Sequence, residues 1–154
     1  YPRRCVNQIK NWNEAREKYI KGDVTHTRSK EYASRIMEAI VTDIPYKIGG
    51  NVLNTGLITN LPAEACVEVP CLVNKLGIQP TYVGKLPEQC AALNRLNINT
   101  QLLTIEAAVT KKKETIYQAA MMDPHTGSEL TIDEIVSLCD DLIKAHKGWL
   151  PEYR

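Results

Sequence analysis

The alternation of apolar and polar positions predicts helices toward both ends of the chain and short strands between them. Asn7 to Lys21 is polar and helix-permissive, and Gly22 is placed to stop it, which predicts a short exposed helix. From about Ser29 the residues Tyr32, Ala33, Ile36, Ala39 and Ile40 recur at helical spacing. Ser29 or Thr27 is available as a cap, and Pro45 bounds the far end. Three short β-branched runs follow, Tyr46 to Leu53, Cys66 to Val73 and Ile78 to Val83, separated by Gly, Asn and Pro. They predict a small, largely antiparallel sheet. Gly49-Gly50 inside the first run signals either a bulge or a close approach by another segment.

Leu86 and Pro87 open a long helical segment in which Cys90, Asn94, Ile98, Leu102 and Ile105 are spaced by three or four, while Leu93, Leu96 and Leu103 widen the apolar face. A helix apolar over so much of its circumference has to be covered on more than one side. Lys111, Lys112 and Lys113 precede a shorter helical run from Glu114 to Met122, which Asp123-Pro124 ends, and the three charges read as a solvated helix entrance. Thr131 with Glu134 forms a capping-box pattern ahead of Ile132, Ile135, Val136, Leu138, Cys139, Leu142 and Ile143, an amphipathic stripe that runs out near Gly148. Strands followed by helices, without βαβ alternation, predict an α+β domain: a small sheet packed with helices.

Composition narrows the function classes. The chain has 154 residues, 44% hydrophobic and 24% charged, which is globular, and 19 Lys plus Arg against 18 Asp plus Glu leave a formal charge of +1. That excess is too small for a sequence-independent grip on nucleic acid or an anionic membrane. The apolar runs fall short of the roughly 20 residues that cross a bilayer, and no leader-like segment opens the sequence, so a cytoplasmic location is expected. Tyr1-Pro-Arg-Arg itself reads like chain interior.

The five cysteines, Cys5, Cys66, Cys71, Cys90 and Cys139, lack the dense spacing of a disulfide scaffold and read as reduced thiols. Cys66 and Cys71 lie an odd number of steps apart on one strand. Their side chains therefore face opposite ways, roughly 16 Å apart along the strand, against the roughly 4.4 to 6.8 Å of a disulfide. His26, His125 and His146 are too scattered to present a ligand set, so no metal site is expected from this chain, and no Gly-x-Gly-x-x-Gly turn follows a strand to hold a dinucleotide.

Two stretches could carry chemistry. Asn51 to Pro62 places three Asn, one Gly and one Pro in twelve residues between two strands. Asn54 and Asn60 are either turn residues or the polar lining of a sugar-binding loop, since a carboxamide offers both donor and acceptor. Arg28 sits among Thr25, His26, Thr27 and Ser29 where a helix begins, a place suited to anions and hydroxyl-rich ligands. Its plainer alternative is an ion pair with Glu31 or another carboxylate.

These stretches also carry a resemblance. Arg28-Ser-Lys-Glu31-Tyr32-Ala-Ser, then Asn51-Val-Leu-Asn54-Thr-Gly56-Leu-Ile-Thr-Asn60-Leu-Pro62, then Val67-Glu68-Val69-Pro70 resemble glycoside hydrolase family 4. Gly77-Ile-Gln-Pro-Thr-Tyr-Val-Gly84, Ala91-Ala-Leu-Asn94-Arg-Leu-Asn97-Ile-Asn99 and Met122-Asp-Pro-His-Thr126 are similar to its α-galactosidase branch. The likeness covers about residues 25 to 150, leaving 1–24 as a leading segment without a clear place and 25–154 as a C-terminal substrate and oligomerisation domain.

The resemblance implies a two-domain enzyme related in fold to lactate and malate dehydrogenases. An N-terminal Rossmann domain, absent here, would hold NAD, and this chain would close over the sugar. The implied chemistry departs from paired-carboxylate hydrolysis: oxidation of the sugar at C3, elimination of the glycosidic oxygen, addition of water and re-reduction, with a divalent metal, usually manganese, as Lewis acid. The family's metal ligands, general acid and Tyr base belong to segments preceding this chain, so no catalytic, cofactor or metal residue is carried over. The chain alone is expected to bind neither NAD nor manganese and to hydrolyse nothing. Arg28, Asn54 and Asn60 are the residues expected to bind substrate or support the site. Replacing Arg28 or Asn54 would then lower turnover more than stability, by on the order of 2 to 4 kcal/mol. The implied partners are the Rossmann domain, a sugar and further copies of the chain. The alternatives within the chemistry are an α-galacturonidase or α-glucosidase, and outside it a non-catalytic association or binding module.

Overall fold

A computed structural model describes residues 1–22 and 30–154. The chain divides into two units, Tyr1–Ser34 and Arg35–Arg154. The first holds helix α1, Pro2–Ile20, with no buried residue. It begins five residues ahead of the expected Asn7, because Pro2 in its first turn needs no hydrogen-bond partner for its nitrogen and has φ already set for a helix. Past its end Gly22 takes φ +75°, the left-handed conformation that stops a helix.

Helix α2, Ala33–Thr42, buries Ala39 and part of Ile36 and leaves Met37, Ile40 and Val41 exposed, so the stripe expected from periodicity is buried at one edge only. The caps proposed for it, Thr27 and Ser29, lie outside the described residues. Beyond it Asp43 has φ +61°, and its carboxylate receives Lys75 Nζ at 2.9 Å and Lys75 N–H at 3.3 Å, tying this turn to the next hairpin.

Strands β1 (Tyr46–Leu53), β2 (Cys66–Asn74) and β3 (Gly77–Pro80) form one antiparallel sheet in the order β1-β2-β3. Burial alternates strictly along β2: Val67, Val69, Cys71 and Val73 point inward while Cys66, Glu68, Pro70 and Leu72 face solvent. Cys66 and Cys71 therefore stand on opposite faces, and all five cysteines are free thiols. Register runs unbroken through Gly49 and Gly50, which excludes a bulge there. The close approach is real: a Cβ on Gly50 would sit 2.7 Å from Cys71 Sγ.

The third strand ends at Pro80, short of the expected Val83. The next residue donates both its N–H and its hydroxyl to Pro70 O (Thr81, 2.9 and 2.7 Å), and the chain then leaves the sheet to meet Leu57.

Helix α3, Glu88–Thr110, lays Ala91 and Ile98 on the inner face of the sheet, where they join Ile58, Leu61, Ala65, Val67, Val69 and Cys71 in one core cluster. Helix α4, Lys113–Met122, packs on the second half of α3. A single turn, α5 (Thr126–Glu129), absent from the sequence reading, leads to α6, Ile132–Ala145, which packs on α4. The expected capping box is present: Thr131 Oγ1 accepts from Glu134 N–H, and the Glu134 carboxylate accepts from Thr131 N–H at 2.8 Å. No described helix is long and apolar enough to cross a membrane.

Candidate functional site

The β1–β2 connection is organised from within by Asn54, which is 1% exposed. Its Nδ2 lies within donating distance of three carbonyl oxygens, Ile58 at 3.0 Å, Leu61 at 3.1 Å and Pro62 at 3.0 Å, while its Oδ1 accepts Ile58 N–H at 2.8 Å. One carboxamide thus stands in for the secondary structure that the loop lacks, giving Ile58 N–H and Leu61 O the partners they would otherwise be without.

Asn60 fastens the same loop to the segment before α3. It donates to Leu86 O at 2.9 Å and accepts Leu86 N–H at 3.0 Å, across 26 residues of sequence. A parallel bridge between Ile58 and Gly84 adds Thr59 N–H to Gly84 O at 3.0 Å and Gly84 N–H to Leu57 O at 3.0 Å. Ile58 and Leu61 anchor the loop from below in the core cluster. On the outside stand Thr55, Gly56 at φ +83° with open space around it, and Thr59, with Ala63 and Glu64 exposed further along.

Of the three candidate residues, the structure brings Asn54 and Asn60 into one loop and turns both amides onto backbone. Arg28 and its neighbour His26 lie outside the described residues. The sequence reading missed a second polar cluster, where α4 meets α6. Lys113 Nζ reaches Asp140 Oδ1 at 2.7 Å and Tyr117 donates its hydroxyl to the same oxygen at 2.6 Å. The hydrogen bond from Lys113, then that from Tyr117, holds the Asp140 carboxyl below the usual carboxylate range, and the Lys113 ammonium is correspondingly held protonated to higher pH. Lys113, read from sequence as part of a solvated helix entrance, is therefore also a clamp between helices.

Asp123 is likewise shifted down, by the N–H and hydroxyl of Thr126, in capping the α5 turn. Burial pushes the Cys139 thiol up, the opposite of an activated nucleophile. Among the described residues no group of three His, Cys, Asp or Glu is placed to hold a metal.

A 6-phospho-β-glucosidase from Thermotoga maritima, crystallised with manganese, NAD+ and glucose-6-phosphate, superposes with a TM-score of 0.76 at 21% identity, over 97% of this chain and 36% of that one. The family model for the family 4 glycosyl hydrolase C-terminal domain matches residues 1–126. The chain belongs to glycosyl hydrolase family 4, as its loop and strand motifs led us to expect, and corresponds to the C-terminal domain of that family.

Its relatives include an α-galactosidase of Bacillus subtilis (strain 168), 62% identical over 155 aligned residues, covering all of this chain and 36% of the relative. Another is an α-galactosidase of Rhizobium meliloti (strain 1021), 40% identical over 84% of this chain and 26% of the relative. The chain thus spans about a third of the length of the first of these and a quarter of the second.

Proposed function

We propose that this chain is the sugar-facing C-terminal domain of a cytoplasmic, homo-oligomeric α-galactosidase that depends on NAD and manganese. The observation that carries the reading is the 62% identity to an α-galactosidase across the whole chain, where relatives acting on phosphoglucosides or galacturonides stand near 30%. Solved relatives of the same fold hold NAD and manganese. Those groups would be held by parts of the protein outside this chain, since the described residues provide no ligand set.

Within this reading the chain's own residues bind and orient. Arg28 would meet sugar hydroxyls. Asn54 and Asn60 would not touch the sugar, their amides being spent on backbone, but would fix the loop whose outer edge, Thr55, Gly56 and Thr59, faces the substrate. A rigid loop lets its hydrogen-bonding groups meet the transition state without reorganising.

The test is to assay the full-length protein with NAD and Mn²⁺ on nitrophenyl α-galactoside, α-glucoside and α-galacturonide. Hydrolysis of the galactoside at least tenfold faster than of either competitor is expected, and a preference for α-galacturonide or α-glucoside would overturn the assignment.

A further inference from the structure

Where the chain leaves β3 it is held at two points and carries one large exposed side chain between them. Thr81 is bonded to Pro70 O through both its N–H and its hydroxyl, and Val83 and Gly84 both donate to Leu57 O, at 2.9 and 3.0 Å. Tyr82, between these anchors, is 70% exposed. Its ring leans over Gly84: a Cβ on that glycine would stand 3.5 Å from Tyr82 Cε1 and 3.7 Å from Cζ and Oη. Gly84 is itself buried, bridged to Ile58 on the loop and bonded through its carbonyl to Thr59 N–H. The tyrosine ring and the outer edge of the 54–62 loop therefore share one glycine as their seat.

Two features set this tyrosine apart from an ordinary surface residue. Its backbone is fixed on both sides, so little freedom is left to lose when a ligand meets the ring. Its hydroxyl makes no hydrogen bond among the described residues, so packing on Gly84 is what places the ring. An aromatic face held in this way offers an apolar platform to the C–H face of a pyranose and a polar tip to its hydroxyls.

We propose that Tyr82 is the platform for the leaving group of the glycoside, the part attached to the anomeric oxygen, and that it sets which leaving groups are favoured. The proposal rests on the reading that the outer edge of the loop faces the sugar. The galactosyl ring that reacts has to be enclosed, since small-molecule sites bury about 70–90% of what they hold and the chemistry requires water to be controlled. A side chain as exposed as Tyr82 belongs at the rim of such a pocket, where the remainder of the substrate emerges. There it stacks on a second sugar or an aromatic leaving group, whereas a methyl group is too small to cover it.

The test uses the full-length protein with NAD and Mn²⁺ on α-galactosides that differ only in leaving group: methyl α-galactoside, nitrophenyl α-galactoside and a galactosyl-glucose disaccharide. Tyr82→Ala should raise KM for the nitrophenyl glycoside and the disaccharide about tenfold, the effect of losing one stacked ring, with kcat changed less than about twofold. For methyl α-galactoside both constants should stay within about twofold of wild type. Tyr82→Phe and Tyr82→Trp, which keep the aromatic face, should retain most of the discrimination, and the melting temperature should be unchanged in all three variants.

Equal losses on every galactoside overturn the proposal, because the residue then acts on the galactosyl ring or on the fold instead of on the leaving group. A Tyr82→Ala enzyme indistinguishable from wild type overturns it too. Tyr82→Phe failing as badly as Tyr82→Ala would replace stacking by a hydrogen bond from the hydroxyl and is equally fatal to it. A wild type that prefers α-glucosides overturns the galactoside reading alone, and the same comparison of leaving groups within the glucoside series then decides the role of Tyr82.

Discussion

Around the sheet, Val69, Val73, Cys71 and Asn54 are fully buried, and the polar member of that set has every hydrogen-bonding group engaged. Around α4 and α6 the buried residues are mostly small, Ala107, Thr115, Ala119 and Cys139, with Ile135 the one large apolar side chain among them, and a groove of about 370 Å³ stays open beside them. Both halves share α3, so the difference lies in what each brings to it. The central strand contributes Val67, Val69, Cys71 and Val73 on one face, all of them buried. The helices contribute alanines at the contact and keep Leu138 and Leu142 largely outside. The sheet half completes its own core and can hold a loop in a fixed shape, while the helical half presents a surface that wants a partner.

The largest expected effect is at Asn54. Asn54→Ala strands Ile58 N–H and Leu61 O in the core and removes the carboxamide's contacts to the Ile58 and Pro62 carbonyls, at a cost of about 2–4 kcal/mol in denaturant-derived stability. Asn54→Asp keeps the acceptor but sets a carboxylate against those carbonyls and should be at least as damaging. Because the side chain is buried and bonded to backbone, stability is lost ahead of turnover. A variant of normal stability and poor activity would make Asn54 a direct substrate ligand and break the contrast between the halves.

Next comes the contact at Gly50. A methyl there meets the buried Cys71 sulfur, so Gly50→Ala should cost about 1–3 kcal/mol, with part of it recovered in Gly50→Ala/Cys71→Ala, where the sulfur is gone. Thermal melts of the two single variants and the double variant measure that coupling. Strict additivity would show that the sheet half is less tightly packed than described.

The smallest effect expected is electrostatic and confined to the helical half. Asp140, Asp123 and Glu134 all titrate below their ordinary values through hydrogen bonds made in the folded state. Their contribution is present above the ordinary carboxylate range of about 4 and is lost as pH falls through the depressed folded-state values. Acid should therefore loosen α4–α6 before the sheet, and Asp140→Asn should flatten part of that pH dependence in thermal melts between pH 6 and 3. An unchanged slope would remove the Lys113–Tyr117–Asp140 cluster from the account.

How much of this was legible from sequence depends on how local the cause is. The bounds of β1 and the capping box of α6 follow from alternation and from residues three apart, Thr131 and Glu134, and both stand as read. The end of β3 falls where Thr81 meets Pro70, eleven residues back, which accepts a ladder bond but has no N–H to return, and no pattern local to β3 announces it. Asn54 was read as either turn former or sugar ligand. Its inward orientation depends on carbonyls four to eight residues ahead that converge only once the loop closes on the core. The spacing to Gly56 and to Leu61-Pro62 was the available signal. The all-round apolar pattern of α3 gave the need for cover on two sides but not the change of face at its middle, because one half is covered by the sheet segment that precedes α3 and the other by α4, which follows it.

The measurement that tests the division of labour most directly is hydrogen exchange, followed peptide by peptide in the full-length protein with NAD and Mn²⁺, with and without methyl α-galactoside. The account predicts that the sugar slows exchange in residues 54–62 and 83–86 and leaves α4 and α6 unchanged. Slowing confined to α4 and α6, or none in the loop, would contradict it.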